Sequence, residues 1–211
     1  MPPAIVFDLD GTLVDSLPGI ATALNAALAE QELPQHPEGK VREFVGSGAF
    51  MLCRRAIPTG ASDELARQVE TGFKHHYAES WTSGTSLFPG IARLIDSLAA
   101  QGRRLAVLSN KPDAFTREIV DHLFPDEPFG LVRGQLDGSP RKPDPAAFQP
   151  IFDFWGIQPH DTLLVGDSTI DRQTAEAAKV PFLGVAWGYE PPGILGLEVA
   201  STVEDLRKRL R

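Results

Sequence analysis

Asp8 and Asp10 stand one residue apart at the end of the apolar run Ile5-Val6-Phe7, with Gly11 and Thr12 directly behind them. Two carboxylates this close repel, so the pair calls for a cation or for one member holding a proton. Hard oxygen ligands of this kind suit Mg²⁺, which binds through one or two carboxylates and keeps its other positions for water and a substrate phosphate. Gly11 lets the chain turn with no Cβ in the way, and Thr12 sets a hydroxyl beside the carboxylates. A lone Asp-Gly after a strand is an ordinary turn, but three further stretches add to it. Ser109-Asn110 closes the apolar run at residues 105–108, and Gly166-Asp167-Ser168 closes the run at 162–165. Lys142 precedes the helix start Pro143-Asp144-Pro145, and Asp171 lies one helical turn beyond Asp167. Three carboxylates, a hydroxyl, an amide and an ammonium make up the donor set of metal-assisted phosphoryl transfer.

These residues can meet only if their strands lie side by side. Short apolar runs without polar interruption fit strands buried on both faces, as in a parallel sheet. The carboxyl ends of such strands share one edge, where open α/β folds bind ligands. After Pro89-Gly90 the pattern alternates helix and strand: helices near 91–101, 114–123, 145–155 and 170–179, strands at 105–108, 131–132, 162–165 and 182–186, and a last short helix capped by Thr202. That alternation indicates right-handed crossovers. Between the first strand and this region lies a block that reads as helix throughout. Ile20, Leu24 and Leu28 recur at helical spacing behind Ser16, a candidate cap, and short helices follow at 41–45 and 49–57. Leu65, Val69, Phe73 and Tyr77 continue at four-residue steps behind the cap residue Ser62, and 80–86 reads as a return linker. The expected fold is α/β, with a Rossmann-like parallel-sheet core of residues 1–16 and 84–211 and an inserted helical domain of residues 17–83.

The chain has 211 residues, enough for one large core or a core with a small insert, and a net charge of -8. The acidic balance argues against nucleic acid or an anionic membrane as a general partner, so an anionic substrate needs a local positive site. Cys53 is the only cysteine, which excludes an intrachain disulfide and agrees with a reducing compartment. No basic-then-apolar leader and no run long enough for a bilayer are visible, so a cytoplasmic protein is expected, as monomer or homodimer.

The stretches Asp8-Leu9-Asp10-Gly11-Thr12-Leu13, Ser109-Asn110, Lys142-Pro143-Asp144-Pro145 and Gly166-Asp167-Ser168-x-x-Asp171 resemble the four motifs of the haloacid dehalogenase superfamily, in its order and at its separations. The helical insert is similar to that family's first type of cap, C1. Val45-Gly46-Ser47-Gly48-Ala49 and Gly184-Val185-Ala186-Trp187-Gly188 resemble the phosphoglycolate phosphatase branch. The resemblance implies that Asp8 is the nucleophile, forming an aspartyl-phosphate, and that Asp10 protonates the leaving oxygen and then activates water. It implies that Mg²⁺ is held by Asp8, the Asp10 carbonyl and Asp167, with Asp171 and Ser168 supporting from outside the direct ligands. Lys142 would cancel charge, and Ser109, Thr12 and Asn110 would bind the phosphoryl oxygens. The implied activity is hydrolysis of a small phosphate monoester, most closely 2-phosphoglycolate. Gly46, Ser47 and Gly48, whose backbone N–H groups can cradle an anion, and Arg42 are candidate contacts to the substrate's carboxylate.

Other readings stay open on the same residues: a pyrophosphatase, another small phosphomonoesterase, or a non-catalytic regulatory protein. A dehalogenase typically lacks the second aspartate, which is present here as Asp10. A phosphonatase needs an imine-forming cap lysine, for which only Lys40 and Lys74 are available. Trp155 and Trp187 read as packing residues and Arg54-Arg55 as a solvated helix face. Lys179 stands where the family usually has glycine after the helix of the fourth motif; if its backbone is left-handed, it costs roughly 1 kcal/mol.

Overall fold

The computed structural model describes residues 2–196 and 198–210. Its contacts divide the chain into two units, Met1–Val14 with Leu87–Arg211, and Asp15–Ser86.

The first unit is built on a parallel sheet. Strand β1 (Ala4–Phe7) is buried along its whole length. It pairs in parallel with β4 (Arg104–Pro112) on one side and β6 (Thr162–Gly166) on the other. β5 (Leu131–Gln135) extends the sheet beyond β4, while β7 (Phe182–Val185) and then β8 (Val199–Ala200) extend it beyond β6, giving the order β5-β4-β1-β6-β7-β8. Residues with aliphatic side chains and no period-2 alternation can line a strand only where both faces are covered. The covering helices are α5 (Ile91–Ala100), α6 (Asp113–Leu123), α7 (Gln149–Trp155), α8 (Thr169–Ala178) and α9 (Val203–Arg209). One core cluster shows the layering: Val6, Ala106 and Leu164 from the sheet pack with Phe148, Ile151 and Ala175 from helical turns. Val199–Ala200 was not anticipated, since two residues carry no pattern of their own and pair only because β7 offers an edge.

Two boundaries differ from the sequence reading, and one conditional expectation is met. β4 runs past the apolar residues to Pro112, with a break in register between Leu108 and Pro112. The segment expected to be one helix from 145 to 155 begins as a 3₁₀ turn, Pro145–Phe148, capped by the Asp144 carboxylate. Lys179 does take the left-handed conformation, at φ 57° and ψ 34°, where it closes α8.

The second unit is helical: α1 (Leu17–Glu30), α2 (Glu38–Arg42), α3 (Ala49–Ala56) and α4 (Asp63–Gly84). α1 and α4 run antiparallel, with the start of α1 at Gly19 against the end of α4 at Gly84, and Gly72 beside Ala27. α4 continues to Gly84 through residues expected to form a linker, because Tyr77 and Trp81 carry its buried stripe onward. Ser62 caps α4 as expected, accepting from the Leu65 N–H. Ser16 makes no side-chain cap for α1; the Asp15 carboxylate accepts from the Leu17 N–H instead. The short strands β2 (Val14–Asp15) and β3 (Ser86–Leu87), where the chain passes between units, pair with each other.

Candidate active site

The parallel register brings the ends of β1, β4 and β6 to one edge of the sheet, so Asp8, Ser109 and Asp167 come together from positions 8, 109 and 167. The backbone locks the first of them in place. The Asp8 N–H donates to the Val165 carbonyl, and the Leu9 carbonyl accepts from the Thr12, Leu13 and Val14 N–H groups, forming a tight loop after the strand. Gly11 lies in that loop at φ 83°, and a Cβ there would collide with the Asp167 carboxylate. Gly188 is closed to a side chain in the same way from the other side, since its Cβ would also strike Asp167. Both positions need glycine because chain and carboxylate approach closely.

Asp8, Asp167 and Asp171 each offer an oxygen within 4.8 Å of the others, and all three are buried. Lys142, 3% exposed, reaches into this cluster, with its ammonium 2.8 Å from Asp8 Oδ1 and 2.6 Å from Asp171 Oδ1. Burial alone would push the lysine's pKa down, but the Asp171 and Asp8 charges override it and hold the ammonium protonated. One cation does not balance three carboxylates. Burial, followed by the Asp171 charge, raises the Asp8 pKa from 3.8 to about 7 in spite of Lys142. Burial and the Asp8 and Asp171 charges raise Asp167 as well. A buried trio with excess negative charge and oxygen-only ligands fits a divalent cation, by the charge it must neutralise and by the hardness of the donors.

Asp171 supports the site more than it faces it. Its Oδ1 is taken by Lys142, and its Oδ2 accepts the Ser168 N–H at 3.1 Å and the Ser168 hydroxyl at 2.6 Å, in a capping box that starts α8. The Leu9 N–H at 2.7 Å and Lys142 both converge on Asp8 Oδ1, so among the described residues no donor is directed at its Oδ2. Ser109 is buried, and its oxygen accepts from the Lys111 N–H, which leaves the hydroxyl proton to give.

Other expected residues lie elsewhere or act differently. The Thr12 hydroxyl donates to Asp167 Oδ1 at 3.0 Å, so it orients that carboxylate rather than standing open to a phosphoryl oxygen. The Asn110 amide donates to the Lys142 carbonyl at 2.8 Å and so fixes the loop that delivers the lysine. Trp187 does more than pack: its indole N–H donates to the Thr12 carbonyl. In the helical unit, Arg42 is an exposed residue at the end of α2, and Gly46 and Gly48 have φ of 109° and 87°. Arg55 is exposed, as expected of a solvated helix face, and its guanidinium is also hydrogen-bonded. It donates to the Phe44 carbonyl and to Ser47 Oγ, tying the Gly46-Ser47-Gly48 loop to α3. Lys40 and Lys74 are half-exposed and paired with Glu43 and Glu70, which is no setting for an imine-forming amine.

Sequence reasoning missed two participants. The Tyr189 N–H donates to Asp167 Oδ2 at 2.7 Å, closing the second side of that carboxylate. Lys111, with a side chain 5% exposed, places its ammonium 3.0 and 3.2 Å from the two Asp10 oxygens. Its signal was a basic residue directly after Ser109-Asn110. A cavity of about 330 Å³ opens beside Ser109 and Asn110, with Gln135, Arg141 and Lys142 on its other walls.

Polar side chains at the carboxyl ends of parallel strands, gathered around an anionic cluster with one fixed lysine, make a site suited to phosphoryl transfer on an α/β fold. The chain belongs to the haloacid dehalogenase-like hydrolases, whose family pattern it matches over residues 5–185. It is 39% identical to the phosphoglycolate phosphatase of Rhodospirillum rubrum, over 97% of this chain and 88% of that one. It is 37% identical to the phosphoglycolate phosphatase of Pseudomonas putida, over 100% of this chain and 79% of that one. A crystal structure of "a predicted phosphoglycolate phosphatase" from Haemophilus somnus superposes with a TM-score of 0.92 at 30% identity, covering 99% of this chain and 98% of the other.

Proposed function

We propose that the protein hydrolyses 2-phosphoglycolate to glycolate and phosphate, with Asp8 as nucleophile. The observation that carries this reading is Lys142 held between Asp8 and Asp171 at 2.8 and 2.6 Å, inside the trio of carboxylates. Such a lysine offsets the repulsion between an attacking carboxylate and a phosphate dianion.

Asp8 Oδ2 attacks phosphorus, and the bond from phosphorus to the ester oxygen breaks as an aspartyl-phosphate forms. Asp10 gives its proton to the departing glycolate oxygen. Asp10 then takes a proton from water as that water attacks phosphorus, which releases phosphate and restores Asp8. Ser109 donates to a phosphoryl oxygen. Asp8, Asp167 and the Asp10 backbone carbonyl would hold Mg²⁺, which when bound supplies positive charge to the phosphoryl oxygens. Thr12 and the Tyr189 N–H keep Asp167 in one orientation. The helical unit Asp15–Ser86 is assigned the role of a cap that excludes water during attack. The test compares kcat/KM for 2-phosphoglycolate with pyrophosphate, hexose phosphates and other small esters in the presence of Mg²⁺. A preference for pyrophosphate or a hexose phosphate would remove this substrate. A second arm quenches the reaction in acid and seeks a phosphorylated peptide containing Asp8; an unmodified Asp8 throughout turnover would remove the intermediate.

A further inference from the structure

Lys142 and its partners leave one feature of the strand edge without a role. Lys111 is a second buried lysine, and it belongs to the same edge by construction, being the third polar residue of β4 after Ser109 and Asn110. Its neighbour is Asp10, not the trio of carboxylates around Lys142. The contact is two-pronged, at 3.0 and 3.2 Å to Oδ1 and Oδ2. The Asp10 side chain is the more open of the two, 13% exposed against 5% for Lys111, so the pair has its carboxyl end toward solvent and its ammonium tucked behind. Pro112 follows directly, and the Lys111 carbonyl accepts from the Thr116 hydroxyl, so the lysine's backbone is fixed on both sides.

We propose that Lys111 recognises the carboxylate of the substrate's leaving group, and so selects phosphate esters of 2-hydroxy acids. The inference rests on the phosphatase reading above and adds the residue that chooses the ester. The argument is one of reach. In that reading the Asp10 carboxyl touches the ester oxygen. In an ester of a 2-hydroxy acid, the carboxylate carbon is only two bonds from that oxygen. A cation in contact with both Asp10 oxygens is therefore within reach of that carboxylate when the leaving group turns it toward the lysine. Charge points the same way. Asp8, Asp10, Asp167 and Asp171 give this edge four carboxylates, which would repel a leaving group that carries its own negative charge. Lys111 is the ammonium paired with Asp10, and solvent screens a charge at so buried a position little. A neutral leaving group of the same size gains much less from it.

The experiment measures kcat/KM for 2-phosphoglycolate and for its neutral counterpart, the phosphate ester of glycolamide, in wild type and in Lys111→Met and Lys111→Gln. Wild type is expected to favour the acid. Each variant should lose activity on both esters, because Asp10 is left without its cation, and should lose on the order of 100-fold more on the acid than on the amide, the size of one charge-assisted contact. Lys111→Arg should keep the preference. Binding of 2-phosphoglycolate to the non-turning Asp8→Asn protein should weaken by a similar factor when Lys111→Gln is added. Equal losses on both esters would overturn the inference, because the lysine would then only position Asp10; the phosphatase reading would survive. A wild type that turns over neither ester would overturn the phosphatase reading and this inference with it.

Discussion

Replacing Asp8 by Asn should stabilise the metal-free protein above pH 7 while abolishing turnover. Three buried carboxylates face one ammonium at this site. Burial and the Asp171 charge lift the Asp8 pKa from 3.8 to about 7. At about 1.36 kcal/mol per pH unit, that difference is worth roughly 4 kcal/mol. The folded value lies above the unfolded one, so the contribution is fully present below pH 3.8 and is lost as pH rises through 7. About 3 kcal/mol of it disappears between pH 5 and pH 8. Asparagine has no charge to impose on Asp167 and Asp171, yet it keeps an oxygen for the Leu9 N–H and for Lys142. The variant should therefore gain on wild type as pH rises, by about 2–3 kcal/mol from pH 5 to pH 8. Urea unfolding of chelator-treated protein at several pH values measures this directly. A variant no more stable than wild type at pH 8, or a gain of equal size at pH 5, would refute the argument that these carboxylates repel one another without a cation. Preserved turnover in a protein shown not to have deamidated would refute Asp8 as the nucleophile.

Removing divalent metal with a chelator should abolish activity without unfolding the chain, and adding Mg²⁺ should raise the midpoint of thermal unfolding more in wild type than in Asp8→Asn; full activity in excess chelator would contradict the assigned ligands. Lys142→Met should end turnover and cost about 3–5 kcal/mol at pH 8, as expected when one partner of a buried ion pair is removed, with a smaller cost at pH 5 where the carboxylates take up protons; denaturation at both pH values checks it. Gly188→Ala would set a methyl group against Asp167 and should cost about 1–3 kcal/mol while raising the Mg²⁺ concentration needed for half-maximal activity; an unchanged requirement would mean that Asp167 is not a ligand. Lys179→Gly should stabilise by about 1 kcal/mol with unaltered kcat/KM, because the exposed side chain sits at φ 57°; the two unfolding curves decide it.

The sequence by itself determined the central strands of the sheet and the polar residues that end them. The runs at 5–7, 105–108 and 162–165 are too short and too apolar to be anything but strands covered on both faces, and the polar residues that end them must then share one edge. Asp8, Ser109 and Asp167 were legible for that reason, as were Ser62 and Lys179, where a cap or a left-handed turn is a local matter decided within a few residues. Which partner each polar group would choose was not legible, because hydrogen bonds form across the fold between residues far apart in the chain. The sequence offered Thr12 and Asn110 to the substrate; the tertiary structure gives them to Asp167 and to the Lys142 loop. It offered Arg55 to solvent, and the fold leaves it exposed while adding bonds to Ser47 and the Phe44 carbonyl that the sequence did not show. Lys111 carried no reading in the sequence, and only the register of β4 against β1 sets its ammonium on Asp10, 101 positions away. Periodicity reports which face of an element is buried, since burial is a property each residue brings with it. Pairing is a property of two residues, and it exists only once the chain has brought them together.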